Sequence, residues 1–186
     1  MGIFFISDTH FGHKNIIDFC NRPFDSVEAM DEAMISNWNS VVSPKDTVYH
    51  LGDFGRGTTK YLIDTISRLN GNITLLLGNH DSHKWGMTEG ALLAFDSVTT
   101  YRELKIDKKL IVLFHYPIAS WNGSHHGSLH LHGHSHGTVA TNGNRLDVGV
   151  DGHSPDIPAT YTPRSLEEVK LIMEKRDARK DTELSV

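Results

Sequence analysis

Cysteine is nearly missing from these 186 residues, with Cys20 the only one. One thiol makes no intramolecular disulfide and no thiolate zinc cage, which fits a reducing compartment. Long apolar runs are missing as well, and no stretch reaches transmembrane length. The first apolar run, Ile3–Ile6, has no basic segment ahead of it and is not read as a signal peptide. Ile6 also stands where myristoylation needs serine or threonine. The expected location is therefore cytoplasmic, and the sequons at Asn72 and Asn122 carry no weight. A basic excess is absent too: 18 Lys and Arg face 23 Asp and Glu, giving a net charge of −5. No global positive field draws in long nucleic acid or an anionic membrane. The length suits one domain with a proper core, with no internal repeat or low-complexity linker dividing it. The expected organisation is a single domain over residues 1–176 and a charged, frayed tail over 177–186.

Histidine is what the chain has in abundance, with 13 residues. Residues 131–137 read L-H-G-H-S-H-G, three imidazoles alternating with small residues. Imidazole is the commonest metal-ligating side chain, and glycine beside it lets backbone approach an ion closely.

Periodicity sets the surroundings of that cluster. Ile3–Ile6 reads as a strand buried on both faces. Residues 25–42 read as a helix, with Asp25 and Glu28 in a capping-box-like start, Met30, Met34 and Trp38 recurring every four residues, and Pro44 as the stop. Residues 47–49 open a second strand, 58–69 form a second helix, and 73–77 form a third strand after the turn Asn70-Gly71-Asn72. Trp85-Gly86-Met87 reads as loop. Residues 104–106 and 110–114 flank Asp107-Lys108-Lys109 as a hairpin. Further strands are expected at 129–131 and 145–150. A last helix begins at Ser165, capped with Glu168, and its stripe is Leu166, Val169, Ile172 and Met173.

Five polar clusters each follow an apolar run: Asp8-Thr9-His10, Gly52-Asp53, Gly78-Asn79-His80-Asp81, His115 and His134-Ser135-His136. Polar residues at the carboxyl ends of several strands converge on one crevice in a sheet-based fold. The set offers two carboxylates, an amide oxygen and several imidazoles, without thiolate. Such donors suit manganese, iron, zinc or cobalt and are too nitrogen-rich for calcium. There are more of them than one ion can use.

The order D-x-H, G-D, G-N-H-D, H, G-H-x-H, running from Ile3 to Gly137, resembles the calcineurin-like metallophosphoesterase superfamily, in particular its small single-domain bacterial and phage members. The resemblance implies an α/β fold: a four-layer αββα sandwich of two mixed β-sheets flanked by helices, with metals at one end. It implies two divalent metal ions, manganese foremost with iron, zinc, cobalt or nickel as alternatives. One would be held by Asp8, His10, Asp53 and His136, the other by Asp53, Asn79, His115 and His134, with Asp53 bridging. His80 matches the histidine near the leaving group, and Asp81 the carboxylate that orients it. The family often runs G-D-x-x-D-R after the second strand. Here Gly52-Asp53-Phe54-Gly55-Arg56 is one residue short, and Arg56 is the candidate phosphate contact.

The implied activity is a phosphatase or phosphodiesterase that hydrolyses a small phosphorylated substrate, a nucleotide among the candidates. The attack would come from a hydroxide bridging the ions, in line with the departing ester oxygen. Two dications against Asp8, Asp53 and a hydroxide leave about one unit of positive charge, which attracts a phosphoryl anion. Neutral Asn79 preserves that surplus where aspartate would cancel it. The loops 11–24 and 116–128 are expected to set specificity, with Trp121 stacking on a substrate ring. Arg22 reads equally as a phosphate contact or a loop charge, and His132 as a support near the metals. A nuclease is the nearest competitor, disfavoured by the acidity and the lack of a basic, aromatic-interleaved groove. A metal-binding or interaction module on an inactive scaffold would have no use for His80. A metallo-β-lactamase-type hydrolase is excluded for want of an H-x-H-x-D-H run.

Overall fold

A computed structural model describes residues 1–139, 143–152 and 158–183, with side chains described as far as Arg176. The apolar run Ile3–Ile6 is strand β1. It pairs in parallel with β2 (Thr47–His50), which pairs with β3 (Asn72–Leu76) and then β4 (Ser97–Thr99). A second sheet holds β5 (Tyr101–Ile106), β6 (Lys109–Phe114), β7 (Leu129–His132) and β8 (Arg145–Asp147) in that order, antiparallel between β5 and β6 and parallel beyond. The short β9 (Arg164–Ser165) returns antiparallel to β1 on the first sheet. Both sheets are therefore mixed. The helices are α1 (Ile16–Phe19), α2 (Val27–Val41), α3 (Thr59–Ser67), α4 (Glu89–Leu92) and α5 (Leu166–Glu183). None among the described residues is long and apolar enough to cross a membrane.

Alternation along β1 distributes its side chains between two cores. Phe4 and Ile6 meet Met30, Met34 and Trp38 of α2 and Leu62 and Ile66 of α3, so these helices cover one face of the first sheet. Ile3 and Phe5 meet Ile111, Leu113, Leu129, Leu131 and Leu146 of the second sheet, together with Leu166, Val169 and Met173 of α5. A fully buried Leu, Ile, Phe or Met in such a core contributes about 1.5–3 kcal/mol. The opposite face of the second sheet carries buried Val112, His130 and His132. The loop 116–128 covers it, with the Trp121 ring 5.2 Å from that of His130.

Three local readings shift. The N-cap of α2 is Ser26, whose hydroxyl accepts the Ala29 N–H, one residue after the expected Asp25. Residues 145–150 do not form one strand: β8 ends at Asp147, and Val150 donates its N–H to the Ser7 carbonyl, so the chain crosses from one sheet to the other. Helix α5 continues to Glu183, past the expected start of a frayed tail at Asp177. The rest of that tail, 184–186, lies outside the described residues, as does His153. The Ser165–Glu168 capping box forms in both directions.

What positions the site is register. Ile6 pairs with His50, and His50 with Leu75, so three parallel strands end at one level and release their loops together. The first loop is tied to α2 through Asp31, whose carboxylate accepts the Gly12 N–H at 3.1 Å and the Tyr61 hydroxyl. Burial pushes the Asp31 carboxyl up to about 6, against the pull of those two bonds. A carboxyl raised in the folded state stabilises most below its unfolded value and loses that contribution as pH rises through about 6. In Asp31→Asn this loss is absent. Denaturant titrations at pH 4 and pH 7 should show the variant gaining on the wild type by on the order of 1–2 kcal/mol.

Candidate metal centre

The loops after β1, β2, β3, β6 and β7 bring the seven candidate ligands together at one end of the sheets. Five of them occupy left-handed backbone: Asp8 at φ 58°, His10 at 53°, Asp53 at 56°, His134 at 68° and His136 at 40°. Such a conformation costs a non-glycine residue on the order of 1–3 kcal/mol and gathers at functional sites. Gly52, at φ 99°, has no room for a side chain, since a Cβ would lie 2.6 Å from both Gly78 N and His115 Nδ1. A Cβ on Gly133 would collide with Ser7 Oγ and Asp8 Oδ2.

Two donor groups result, each with its ligand atoms within 4.8 Å of one another: Asp8, His10 and His136, and Asp53, His115 and His134. Asp53 lies between them. Its Oδ2 is 3.7 Å from His10 Nε2, while its Oδ1 is 3.7 Å from His115 Nε2. Asn79 joins the second group, its Oδ1 3.0 Å from His115 Nε2 and 2.9 Å from His134 Nδ1. His115 is oriented through its other nitrogen, 2.8 Å from the Leu51 carbonyl. His10 Nε2 is buried and has no hydrogen-bond partner. An orphaned imidazole nitrogen beside two carboxylates fits a cation better than it fits a packed core.

The electrostatics of the bare protein agree with that fit. Burial raises the Asp8 carboxyl well above the usual range, opposed by His136 and aided by Asp147 and Asp53. Burial, with the Arg22 guanidinium and the neighbouring imidazoles, lowers His10 well below its ordinary value. His115 is lowered by burial against the pull of Asp53. Burial works against a charge on His136 too, but Asp151, Cys20 and Asp8 outweigh it and hold the ring up to about 11. Burial thus disfavours charge on Asp8, His10 and His115, while His136 is kept protonated by its acidic neighbours.

Other expected residues stand in different places. Asp81 does not turn to the His80 ring. Its Oδ2 takes the N–H of Asp53 at 2.7 Å and of Gly78 at 2.9 Å, and its Oδ1 takes that of Phe54 at 2.9 Å. With both oxygens committed to amides, it folds the Asp53 turn. The His80 ring stands 5.4 Å from that of His10 and 5.8 Å from that of Trp85. Arg56 is drawn onto Trp85, its Cζ 4.1 Å from the ring centroid, and does not line the cleft beside the donor groups. Trp121 packs on His130 and donates to Ser128 Oγ at 2.9 Å, so it does not face the site. His50 is a satisfied core histidine, bonded to Thr9 Oγ1 and the Gly52 N–H.

A cleft of about 480 Å³ opens beside the donor groups, walled by His13, Ile16, Phe19 and Cys20 of the first loop and by Thr138 and Val139 after the histidine cluster. The segment 11–24 thus forms one wall of the cleft. Of the loop 116–128, Tyr116 approaches, its ring 4.6 Å from that of His134. One site residue, Asp151, escaped the sequence reading, and Arg22 takes neither of the roles weighed for it. Asp151 sits 2.7 Å from His136 Nδ1, and Arg22 is buried against Asp151. The available signal for Asp151 was the one that marked the other clusters, a carboxylate directly after an apolar run.

Residues 1–154 match the family model of the calcineurin-like phosphoesterase superfamily domain. An uncharacterized protein of Methanocaldococcus jannaschii is 35% identical over 180 residues, covering 93% of this chain and 92% of its own length. The gene 66 protein of Mycobacterium phage L5 is 28% identical over 179 residues, covering 79% and 85%. Among solved structures, a protein of unknown function from Aquifex aeolicus superposes with a TM-score of 0.68 at 28% identity, covering 92% of this chain and 98% of that one. With its donor residues gathered on the loops of two mixed sheets and the family match spanning most of its length, the chain belongs to the calcineurin-like phosphoesterase superfamily and is a metal-dependent phosphoesterase.

Proposed function

We propose that this phosphoesterase works with two divalent cations, manganese first among them, on a small phosphomonoester or phosphodiester. The observation that carries the reading is Asp53, whose two oxygens face different donor groups at the same 3.7 Å. Asp8, His10 and His136 would hold one cation and Asn79, His115 and His134 the other, with Asp53 shared. When bound, such a pair supplies Lewis acidity, drawing charge from the phosphoryl oxygens and easing loss of a proton from water. Neutral Asn79 and four imidazoles add no negative charge to that of Asp8 and Asp53, so a positive surplus remains and the site favours an anionic substrate. The cleft volume suits a small ester, nucleotides included, with the first loop as its wall.

His80 is half-buried at the cleft, and its backbone N–H donates to Asp53 Oδ1 at 2.8 Å. From there its ring delivers a proton to the departing ester oxygen. Asp81 acts on it indirectly, by holding the turn that fixes Asp53. Arg56, tied to Trp85, is a rim residue for the distal part of the substrate.

Metal-stripped protein reloaded with manganese, zinc or magnesium, and assayed on aryl phosphate monoesters, diesters and nucleotides, should regain activity with at least one metal. Uptake of metal without turnover of any substrate overturns the enzymatic reading. Asp53→Asn should abolish turnover and lower the number of ions bound, whereas full turnover in that variant refutes the shared ligand. His80→Ala should keep its metal and lose roughly 10²–10⁴-fold in kcat on alkyl esters. It should lose much less on nitrophenyl esters, whose leaving group needs no proton. An equal loss on both ester types would remove the acid role from His80.

A further inference from the structure

His136 is gripped from behind by a pair of residues that the proposed ligand sets leave out. We infer that Asp151, locked by Arg22, is a positioning residue that fixes the His136 ring as a ligand and couples it to the Asp8 loop. This inference rests on the two-cation reading above.

The ring nitrogens of His136 have separate partners. Nδ1 is 2.7 Å from Asp151 Oδ2, and Nε2 is 3.8 Å from Asp8 Oδ1. A carboxylate accepting from Nδ1 keeps the proton on that nitrogen and leaves the Nε2 lone pair facing the donor group. Asp151 is itself immobilised, with Arg22 Nε on Oδ1 and Nη2 on Oδ2, both at 2.8 Å. The same guanidinium donates from Nη2 to the Asp8 carbonyl at 2.7 Å and from Nη1 to the Thr9 carbonyl at 2.9 Å. Those carbonyls lie within the left-handed turn that presents Asp8 and His10, and the guanidinium satisfies them inside the protein. The Arg22 side chain is wholly buried. One planar fork therefore sets the backbone of two candidate ligands and, through Asp151, the ring of a third.

The neighbouring thiol admits another arrangement. Cys20 Sγ lies 3.3 Å from His136 Nδ1, and Cys20, His136 and Asp151 are close enough together to hold an ion of their own. A guanidinium bonded to both oxygens of Asp151 opposes that, because it occupies the carboxylate and puts a fixed positive charge beside it. The geometry is that of a clamp.

Isothermal titration of metal-free protein with manganese chloride tests the clamp without recourse to activity. The wild type should take up two ions. Asp151→Asn should bind one normally and the other about 10- to 100-fold more weakly, and Asp151→Glu should recover part of the loss. In a His136→Ala background, Asp151→Asn should weaken binding no further. Wild-type affinities in Asp151→Asn, or an added loss in the His136→Ala background, overturn the inference while leaving the two-cation reading intact. A wild type that takes up no manganese overturns that reading and the inference with it. If Asp151→Asn fails to fold, nitrogen NMR of the zinc-loaded wild type decides. It should find His136 protonated at Nδ1 and metal-bound at Nε2, and the reverse assignment overturns the inference.

Discussion

The site depends on one turn that forces the Asp53 carboxylate to face two ways. Parallel pairing brings β1, β2 and β3 to a common end, but pairing alone would let the loops spread into solvent. Gly52 lets the second loop fold tightly against Gly78 and His115, where no side chain fits. Asp81 then gathers the amides of Asp53, Phe54 and Gly78 onto one carboxylate. With its backbone held in that way, Asp53 has little freedom, and its oxygens point to opposite groups. The left-handed conformations at Asp8, His10, His134 and His136 serve the same end on facing loops. Their strain is borne by packed cores on both sides of the first sheet, a cost a surface turn would shed by relaxing.

Burial gives the arrangement its chemistry. Carboxylates and imidazoles crowded away from water lose hydration they cannot recover from one another, as the unpartnered His10 Nε2 illustrates. A cation repays that loss, and the binding energy then becomes stability of the folded state. The ionic clamp made by Arg22 and Asp151 is a different use of buried charge. A buried ion pair seldom adds much stability over an apolar replacement, and this one supplies direction, aiming donors at two carbonyls and an acceptor at an imidazole.

The sequence was most informative where function and secondary structure share a boundary. Ile3–Ile6 was legible as an unbroken apolar run, the helix around Met30, Met34 and Trp38 by its four-residue recurrence, and the 104–114 hairpin by apolar arms flanking a polar turn. The ligand candidates were legible because each follows an apolar run. Residues 82–99 offer no period to read, because they break into a single turn of 3₁₀ helix, four-residue α4 and three-residue β4. β9 has only two residues and is recognised by its partner β1 and not by its own pattern. Asp81 was read as an aid to its neighbour His80, since a sequence does not reveal that three amides from two loops compete for its oxygens. Trp121 and Arg22 were ambiguous for the same reason. Each is decided by a contact with a distant segment, as Arg22 is by Asp151, 129 positions further along the chain.

That separation governs the order in which the molecule can be completed. As the chain leaves the ribosome, β1 and its loop emerge early, yet the guanidinium that must shape the loop still lacks its carboxylate. Its partner comes only after the crossing from β8 back to the first sheet. Until then the guanidinium that binds the carbonyls of Asp8 and Thr9 is itself unanchored. The first donor-bearing loop to be synthesised is thus among the last to reach its final shape, and a nascent chain truncated before residue 151 would carry all seven candidate ligands without the frame that aims them.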